Sequence, residues 1–218
     1  MKNVSKEDYL SVIYKTADSN GVIKANQIAD KLNISGAAVT DMLRKLSKEG
    51  YVDYKRYKGI KLTKSGEDYA RSMVRRLRIW EVFLHQVVGL PWDKVHNEAE
   101  NLEHSSSDEL INRLEEMLDY PEFDPHGDPI PDRNGKMPKG NLGTPLSTIE
   151  KGNCVKVNRV PDFDSGFLQY ITNIGIELNK EVTVLDTLEF DHSLLIEVDK
   201  KKTSISNKVA ANIFVTEV

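Results

Sequence analysis

Apolar positions in the first sixty residues follow helical spacing and then switch to strand spacing. Tyr9, Leu10, Ile13 and Tyr14 fall on one stripe within residues 5–17, and Ser5 stands where a cap would, so a first helix is expected there. Ser19-Asn20-Gly21 reads as a turn. Residues 24–31 carry Ile28, Ala29 and, just beyond, Leu32 at helical spacing, which predicts a second helix. Asn33-Ile34-Ser35-Gly36 breaks the pattern, Ser35 caps a third helix from about Ala37 to Glu49, and Gly50 stops it at the position that favours a left-handed residue. Two short alternating runs, residues 51–55 and 60–63, flank Arg56-Tyr57-Lys58-Gly59 and read as a β-hairpin. Helix, helix, turn, helix, hairpin is the order of a winged helix-turn-helix.

Helical spacing resumes at Thr63. A long segment over about residues 64–88 ends at Gly89-Leu90-Pro91. A second covers residues 92–105, and a third covers 107–118 with Ser107 as its cap and Asp108 and Glu109 in its first turn. Residues 119–147 hold six of the eight prolines and four glycines, which makes them an ordered loop followed by a linker. Beyond them, residues 154–160, 181–188, 193–198 and 212–218 alternate like strands, with one helical stretch near 167–173. The expected fold is mainly α with a small β-barrel-like domain at the C-terminus.

Charge divides along the same line. Residues 1–78 hold 17 Lys/Arg against 9 Asp/Glu, whereas residues 79–218 hold 13 against 25, for a net charge of −4. A basic N-terminal module suits a polyanion, and an acidic body suits cations. No apolar run reaches the roughly 18 residues of a membrane span, and the N-terminus lacks the apolar core of a secretory signal. A single cysteine, Cys154, excludes an internal disulfide and fits a reducing cytoplasm.

The basic module and the helix-turn-helix order point together to double-stranded DNA. The third helix begins Ser35-Gly36-Ala37-Ala38-Val39-Thr40-Asp41, and in such folds the N-terminal residues of this helix reach base edges in the major groove. Gly36, Ala37 and Ala38 permit close approach, and the Ala methyls suit thymine methyl groups. Ser35, Thr40 and Asp41 offer hydrogen bonds, as does Gln27 on the preceding helix. Arg44 and Lys45, with Lys55, Arg56 and Lys58 on the wing, suit phosphates. Val39, Leu43 and Leu46 are expected to face the core.

The acidic body carries a second constellation. His96, Glu100, Glu103 and His104 lie at i, i+4, i+7 and i+8 and share one helix face. Burying that face would cost several kcal/mol per ion unless a cation compensates. Asp8, Glu81, Asp124 and His126 are further candidate ligands. Carboxylate and imidazole donors without thiolate suit Mn²⁺ or Fe²⁺, although Zn²⁺, Co²⁺ or Ni²⁺ would bind such a site at least as tightly in vitro. A metallohydrolase built on this helix face is the alternative from another class, but it leaves the basic module without a task, and no nucleophile elbow or phosphate loop accompanies it.

The run from Glu7-Asp8-Tyr9-Leu10 through Val95-His96-Asn97-Glu98-Ala99-Glu100-Asn101-Leu102-Glu103-His104 resembles the diphtheria-toxin-repressor family of metal-dependent regulators, closer to its manganese-responsive branch. The resemblance implies three domains: a winged helix-turn-helix over 1–63, a helical metal-binding and dimerisation domain over 64–140, and an SH3-like domain over 148–218. It also implies a homodimeric repressor of metal homeostasis that binds its operator when metal is bound. By position, the primary regulatory ligands would be Asp8, Glu100, Glu103 and His104, completed by Asp124 or His126. A second site would use Glu81 and His96 with His126 and an acid from the C-terminal domain, either Asp162 or Asp164. This chain departs from the family at Leu77, one turn before Glu81, where a histidine is usual. An aliphatic side chain cannot ligate, so the second site is weakened, rebuilt or lost.

Overall fold

The apolar stripes of the sequence become helices whose buried residues are the ones the spacing selects. The computed structural model describes residues 6–18, 20–55, 59–140, 142–162 and 164–218, with Lys55 described by its backbone. The expectations for Ser5, Ser19, Arg56, Tyr57 and Lys58, and for the Lys55 side chain, lie outside the described residues. The chain divides into two compact units. One runs up to Arg76 and includes Pro131–Lys136; the other comprises Leu77–Ile130 and Met137–Val218.

In the first unit, α1 (Lys6–Thr16), α2 (Ala25–Leu32) and α3 (Gly36–Lys48) precede the antiparallel strands β1 (Val52–Lys55) and β2 (Gly59–Leu62). An isolated bridge between Ile23 and Ile60 ties the segment before α2 to the wing. Leu10, Ile13, Ile28, Val39, Leu43, Leu46, Val52 and Ile60 form one core. The chain turns sharply from α2 to α3 through Asn33, whose φ of 53° is tolerated by a short amide side chain. The Ser35 hydroxyl then accepts the Ala38 N–H at 3.2 Å, satisfying one of the free donors at the start of α3. At the far end Gly50 takes a φ of +83°, as its position predicts. The next helix, α4 (Lys64–Gln86), starts where the Thr63 hydroxyl donates to Gly50 O and accepts from Gly66 N. A Cβ on Gly66 would stand 2.0 Å from Tyr51 O, so only glycine allows this approach of helix and wing.

The second unit holds the C-terminal part of α4, then α5 (Trp92–Glu103) and α6 (Asp108–Met117), the latter capped by Ser107 as expected. Ile79 and Val82 pack with Ile111, Leu114 and Ile130, while Leu77 and Leu84 pack with Val95 and Ala99. The β domain adds β3 (Thr144–Pro145), a 3-10 turn at Leu146–Thr148, β4 (Cys154–Arg159), α7 (Ser165–Asn173), β5 (Glu181–Thr187), β6 (Leu194–Val198), β7 (Lys201–Ile205), α8 (Asn207–Ala210) and β8 (Phe214–Glu217). Its six strands form an antiparallel sheet in the order β3-β8-β4-β5-β6-β7. Alternation along β6 buries Leu194, Ile196 and Val198 in a core shared with Val155, Val157, Val182, Val184, Leu168 and Ile171.

The β domain is seated on the start of α5. Trp92 packs against the β-domain core and donates its indole N–H to Thr172 Oγ1 at 2.9 Å, while Gln169 donates to Asp93 Oδ2 at 2.8 Å. The loop after α6 completes the contact. Gly127, at φ +86°, passes so close to β4 that a Cβ would meet Asn158 O at 2.1 Å, and Val160 N–H donates to His126 O at 2.9 Å.

Candidate DNA-reading surface and metal centre

Helix α3 divides its residues by face. Val39, Leu43 and Leu46 are fully buried, which leaves Ser35, Gly36, Ala37, Ala38, Asp41, Arg44 and Lys45 exposed and Thr40 half-buried. The Thr40 hydroxyl donates back to Gly36 O at 2.9 Å. Asp41 and Arg44 form an exposed ion pair at 3.3 Å, the kind that contributes little to stability and is easily redirected to a partner. Gly36 has no backbone need to be glycine, because its φ is not positive and a Cβ there would meet nothing within 4 Å. Gln27 is exposed on α2, and its side-chain oxygen accepts the Lys24 N–H at 2.9 Å, so part of it serves as a helix cap.

In the second unit, α4, α5, the loop after α6 and the segment after β4 converge on a cluster of ionisable groups. Ligand atoms of Glu81, Asp124 and His126, all buried, lie within 4.8 Å of one another, and so do those of Glu81, His96 and Asp162. Asp124 is positioned by its own loop: its Oδ1 accepts the N–H groups of His126 at 2.8 Å and Asp128 at 2.9 Å. That turn aims Oδ2 elsewhere. His126 is fixed by Nε2 on Trp92 O at 2.8 Å and by stacking on the Trp92 ring, centroids 6.0 Å apart. Glu81 Oε1 and Asp162 Oδ2 approach His96 Nδ1 at 2.8 and 3.0 Å, and Glu100 Oε1 stands 3.6 Å from His96 Nε2.

Electrostatics mark the cluster as a place that requires positive charge. Burial opposes a charge on His96, yet hydrogen bonds to Asp162, Glu100 and Glu81 outweigh it and push its pKa up to about 12. Burial, then the charges of Glu81 and Asp128, push the Asp124 carboxyl well above the usual carboxylate range, with Arg78 opposing them. Glu81 Oε2, Asp124 Oδ2 and His126 Nδ1 are buried without a hydrogen-bond partner. Orphaned acceptors of this kind are costly inside a protein. Three orphaned donor atoms on three residues that already converge fit a divalent cation, and oxygen and imidazole donors are the set expected for a borderline or hard ion.

The remaining expected ligands are distributed differently. Glu100, Glu103 and His104 lie on or at the end of α5, with Glu103 buried, Glu100 and His104 exposed, and His104 Nε2 3.5 Å from Glu103 Oε1. Asp8 is half-buried in the first turn of α1, in the other unit. Of the two acids offered by the C-terminal domain, Asp162 joins the cluster. Asp164 instead caps α7, accepting the Phe167 N–H at 3.1 Å, and it is exposed. Asp124 and His126 stand with Glu81. Leu77 lies in the apolar group with Leu84, Val95 and Ala99.

Sequence reasoning missed the cations around the cluster. Arg78 Nε lies 3.4 Å from Asp124 Oδ2, Arg78 Nη2 lies 3.5 Å from Asp128 Oδ1, and Nη1 donates to Pro129 O. Arg159, from β4, reaches the same Asp128 oxygen at 3.4 Å. Arg78 was legible, since it precedes Glu81 by three residues on one helix face. Arg159 was not, because only the fold brings β4 to the loop.

A winged helix with an exposed, small-residue reading tip, in a chain that also carries a buried carboxylate–imidazole cluster, defines a metal-dependent DNA-binding regulator. Residues 3–60 match the family model described as "Iron dependent repressor, N-terminal DNA binding domain", residues 63–132 match "Iron dependent repressor, metal binding and dimerisation domain", and residues 144–217 match the FeoA domain. Over 189 residues, 83% of each chain, the protein is 30% identical to the diphtheria toxin repressor of Corynebacterium glutamicum. The chain belongs to this iron-dependent, diphtheria-toxin-type repressor family.

Solved structures agree with that membership. A manganese-dependent transcriptional repressor in complex with manganese superposes with a TM-score of 0.89 at 33% identity, covering 98% of this chain and 100% of that one. The repressor ScaR with bound Cd²⁺ gives 0.85 at 31% identity, covering 99% and 100%. The manganese regulator SloR gives 0.80 at 33% identity, covering 98% and 99%. The protein is therefore a metal-dependent transcriptional repressor in metal-ion homeostasis and not an enzyme, and the hydrolase alternative finds no support. Its partners are double-stranded DNA and a second copy of the same chain. Among the described residues no helix is long and apolar enough to cross a membrane.

Proposed function

We propose that this repressor uses Mn²⁺ as its co-repressor and acts in the cytoplasm, where its operator lies. The observation that carries the reading is the set of buried donor atoms without a hydrogen-bond partner on Glu81, Asp124 and His126, on residues already drawn together. Glu81, Asp124, His126 and Asp162 would hold the ion, with His96 in reach once its proton is given up. When bound, the ion would add positive charge to this acid-rich cluster beyond what its own side chains supply. The residues then link α4, the loop after α6 and the β domain. Oxygen-rich donors without thiolate favour Mn²⁺ or Fe²⁺ over a thiolate-type zinc site, and relatives described as manganese-dependent tip the choice to Mn²⁺.

For Glu100, Glu103 and His104, and separately for Asp8, we retain the regulatory metal-ligand role that the family resemblance implies. On the DNA side, Ser35, Gly36, Ala37, Ala38, Thr40 and Asp41 would read bases, while Gln27, Arg44, Lys45, Lys55, Arg56 and Lys58 would hold phosphates. The test is a mobility-shift series at buffered free Mn²⁺, Fe²⁺ and Zn²⁺ with the parent, Glu81→Gln and Glu103→Ala. Manganese should support binding at micromolar free concentration, and Glu103→Ala should abolish the response while leaving a folded dimer. Unchanged Mn²⁺ response in both variants would overturn the ligand assignment. A response to Fe²⁺ with none to Mn²⁺ would overturn the metal.

A further inference from the structure

The metal cluster contains a cation of its own. Asp124 spends Oδ1 on two backbone N–H groups, at 2.8 and 2.9 Å, so Oδ2 is the only oxygen it can offer a metal. That oxygen has no hydrogen-bond partner, and Arg78 Nε lies 3.4 Å from it. The Arg78 side chain is almost buried, at 12% exposure, and its other nitrogens are taken by Asp128 Oδ1 at 3.5 Å and by Pro129 O. A guanidinium with all three nitrogens engaged does not leave its place easily. Asp128 Oδ1 is in turn shared with Arg159, which belongs to β4 and lies over the Phe214 ring at 3.9 Å. The result is a chain of alternating charge, Asp124–Arg78–Asp128–Arg159, running from the metal cluster to the β domain.

We propose that Arg78 is the resident counter-cation of this cluster, standing in for part of the charge of the divalent ion when none is bound. This rests on the reading of Glu81, Asp124 and His126 as metal ligands. In the metal-free protein, Arg78 compensates two acids that would otherwise face each other in the interior, where an uncompensated charge is strongly destabilising. It also keeps Asp128 on Arg159, so the β domain stays seated without metal. On metal binding the ion and Arg78 share Asp124 Oδ2. Arg78 therefore stabilises the metal-free form more than the metal-bound form, and thermodynamic linkage makes it a brake on affinity. The consequence is a threshold: the cluster fills only when free metal is high enough to compete with a charge already in place.

The experiment is scanning calorimetry of the full-length parent, Arg78→Gln and Arg78→Lys, in chelator and in saturating Mn²⁺, with calorimetric titration of Mn²⁺. Arg78→Gln should melt lower than the parent in chelator, show a larger Mn²⁺-induced rise, and bind Mn²⁺ about tenfold more tightly, within the usual range for coupled sites. Arg78→Lys should fall between the two, since a point charge cannot engage three acceptors at once. An Mn²⁺-induced rise in Arg78→Gln equal to or smaller than the parent's would overturn the proposal, because a purely structural arginine lowers both forms alike. If Arg78→Gln folds in neither condition, Arg78→Lys decides by the same comparison. A parent isotherm unchanged by Glu81→Gln would sink the metal reading together with this one, whereas a normal Glu81→Gln effect with no extra Mn²⁺ response in the Arg78 variants sinks this one alone.

Discussion

Asp124 offers a way to separate the scaffold of the metal centre from its ligands. Asp124→Asn is nearly isosteric, so its side-chain oxygen can keep both hydrogen bonds that Oδ1 now accepts from His126 and Asp128. The change replaces Oδ2 with an amide NH2, whose delocalised lone pair cannot ligate and which turns a donor towards Arg78, 3.4 Å away. Asp124→Ala removes the two accepting bonds as well. With about 1–3 kcal/mol for each donor left unsatisfied, and only one of the two fully buried, the loop should lose about 3 kcal/mol. Asp124→Asn should stay within about 1 kcal/mol of the parent in chelator, because losing a buried charge offsets losing its ion pair. Both should lose Mn²⁺ affinity by about a hundredfold, or about 2.7 kcal/mol. Urea unfolding in chelator measures the first quantity and calorimetric titration the second. The reasoning fails if Asp124→Asn binds Mn²⁺ as tightly as the parent, or if both variants lose equal stability in chelator.

Four other variants test further links. Gly127→Ala puts a Cβ 2.1 Å from Asn158 O at a φ of +86°; it should cost about 2–4 kcal/mol, lower the melting temperature by roughly 5–10 °C, and weaken Mn²⁺ binding, and an unchanged melting curve would contradict the close approach. Leu77→His should destabilise the metal-free protein by about 2 kcal/mol without adding a bound Mn²⁺, since the side chain is held among Leu84, Val95 and Ala99; a gain in stoichiometry by equilibrium dialysis would show that it can reach Glu81. Replacing Arg44 and Lys45 by Ala should weaken binding to all DNA and flatten the slope of log affinity against log salt by about 2, whereas Gly36→Ala should leave stability within about 0.5 kcal/mol and change which operator is preferred. Equal effects of the two DNA variants on specificity would refute that division.

Much of the fold was legible because single residues carry its punctuation. Ser35, Gly50 and Ser107 fix helix ends by local chemistry, and the apolar spacing of Val39, Leu43 and Leu46 orients α3 whatever surrounds it. Strand β7 escaped because Lys201–Ile205 buries only Ile205, leaving no alternation to read, and its turn is set by Asp199 and Lys200 at positive φ. The short α8 escaped for its length. At the candidate metal centre the residue types were readable but their partners were not. His96 shares a helix face with Glu100, yet its shortest contacts, at 2.8 and 3.0 Å, are to Glu81 on α4 and Asp162 beyond β4. Choosing between Asp162 and Asp164 required the cap of α7, because local sequence offers both acids and only one can hold the helix N-terminus. The Arg78 and Arg159 pairs with Asp128 depend on long-range packing that periodicity does not encode.

The most direct test of metal-dependent repression is fluorescence anisotropy of a labelled duplex, selected from a random library by the Mn²⁺-loaded protein, titrated with the full-length chain in Mn²⁺ and in chelator at one salt concentration. Coupling between the metal and DNA sites predicts an affinity roughly 5- to 150-fold higher with Mn²⁺, and, by reciprocity, tighter Mn²⁺ binding in the presence of that duplex. Equal DNA affinity in Mn²⁺ and in chelator would contradict it.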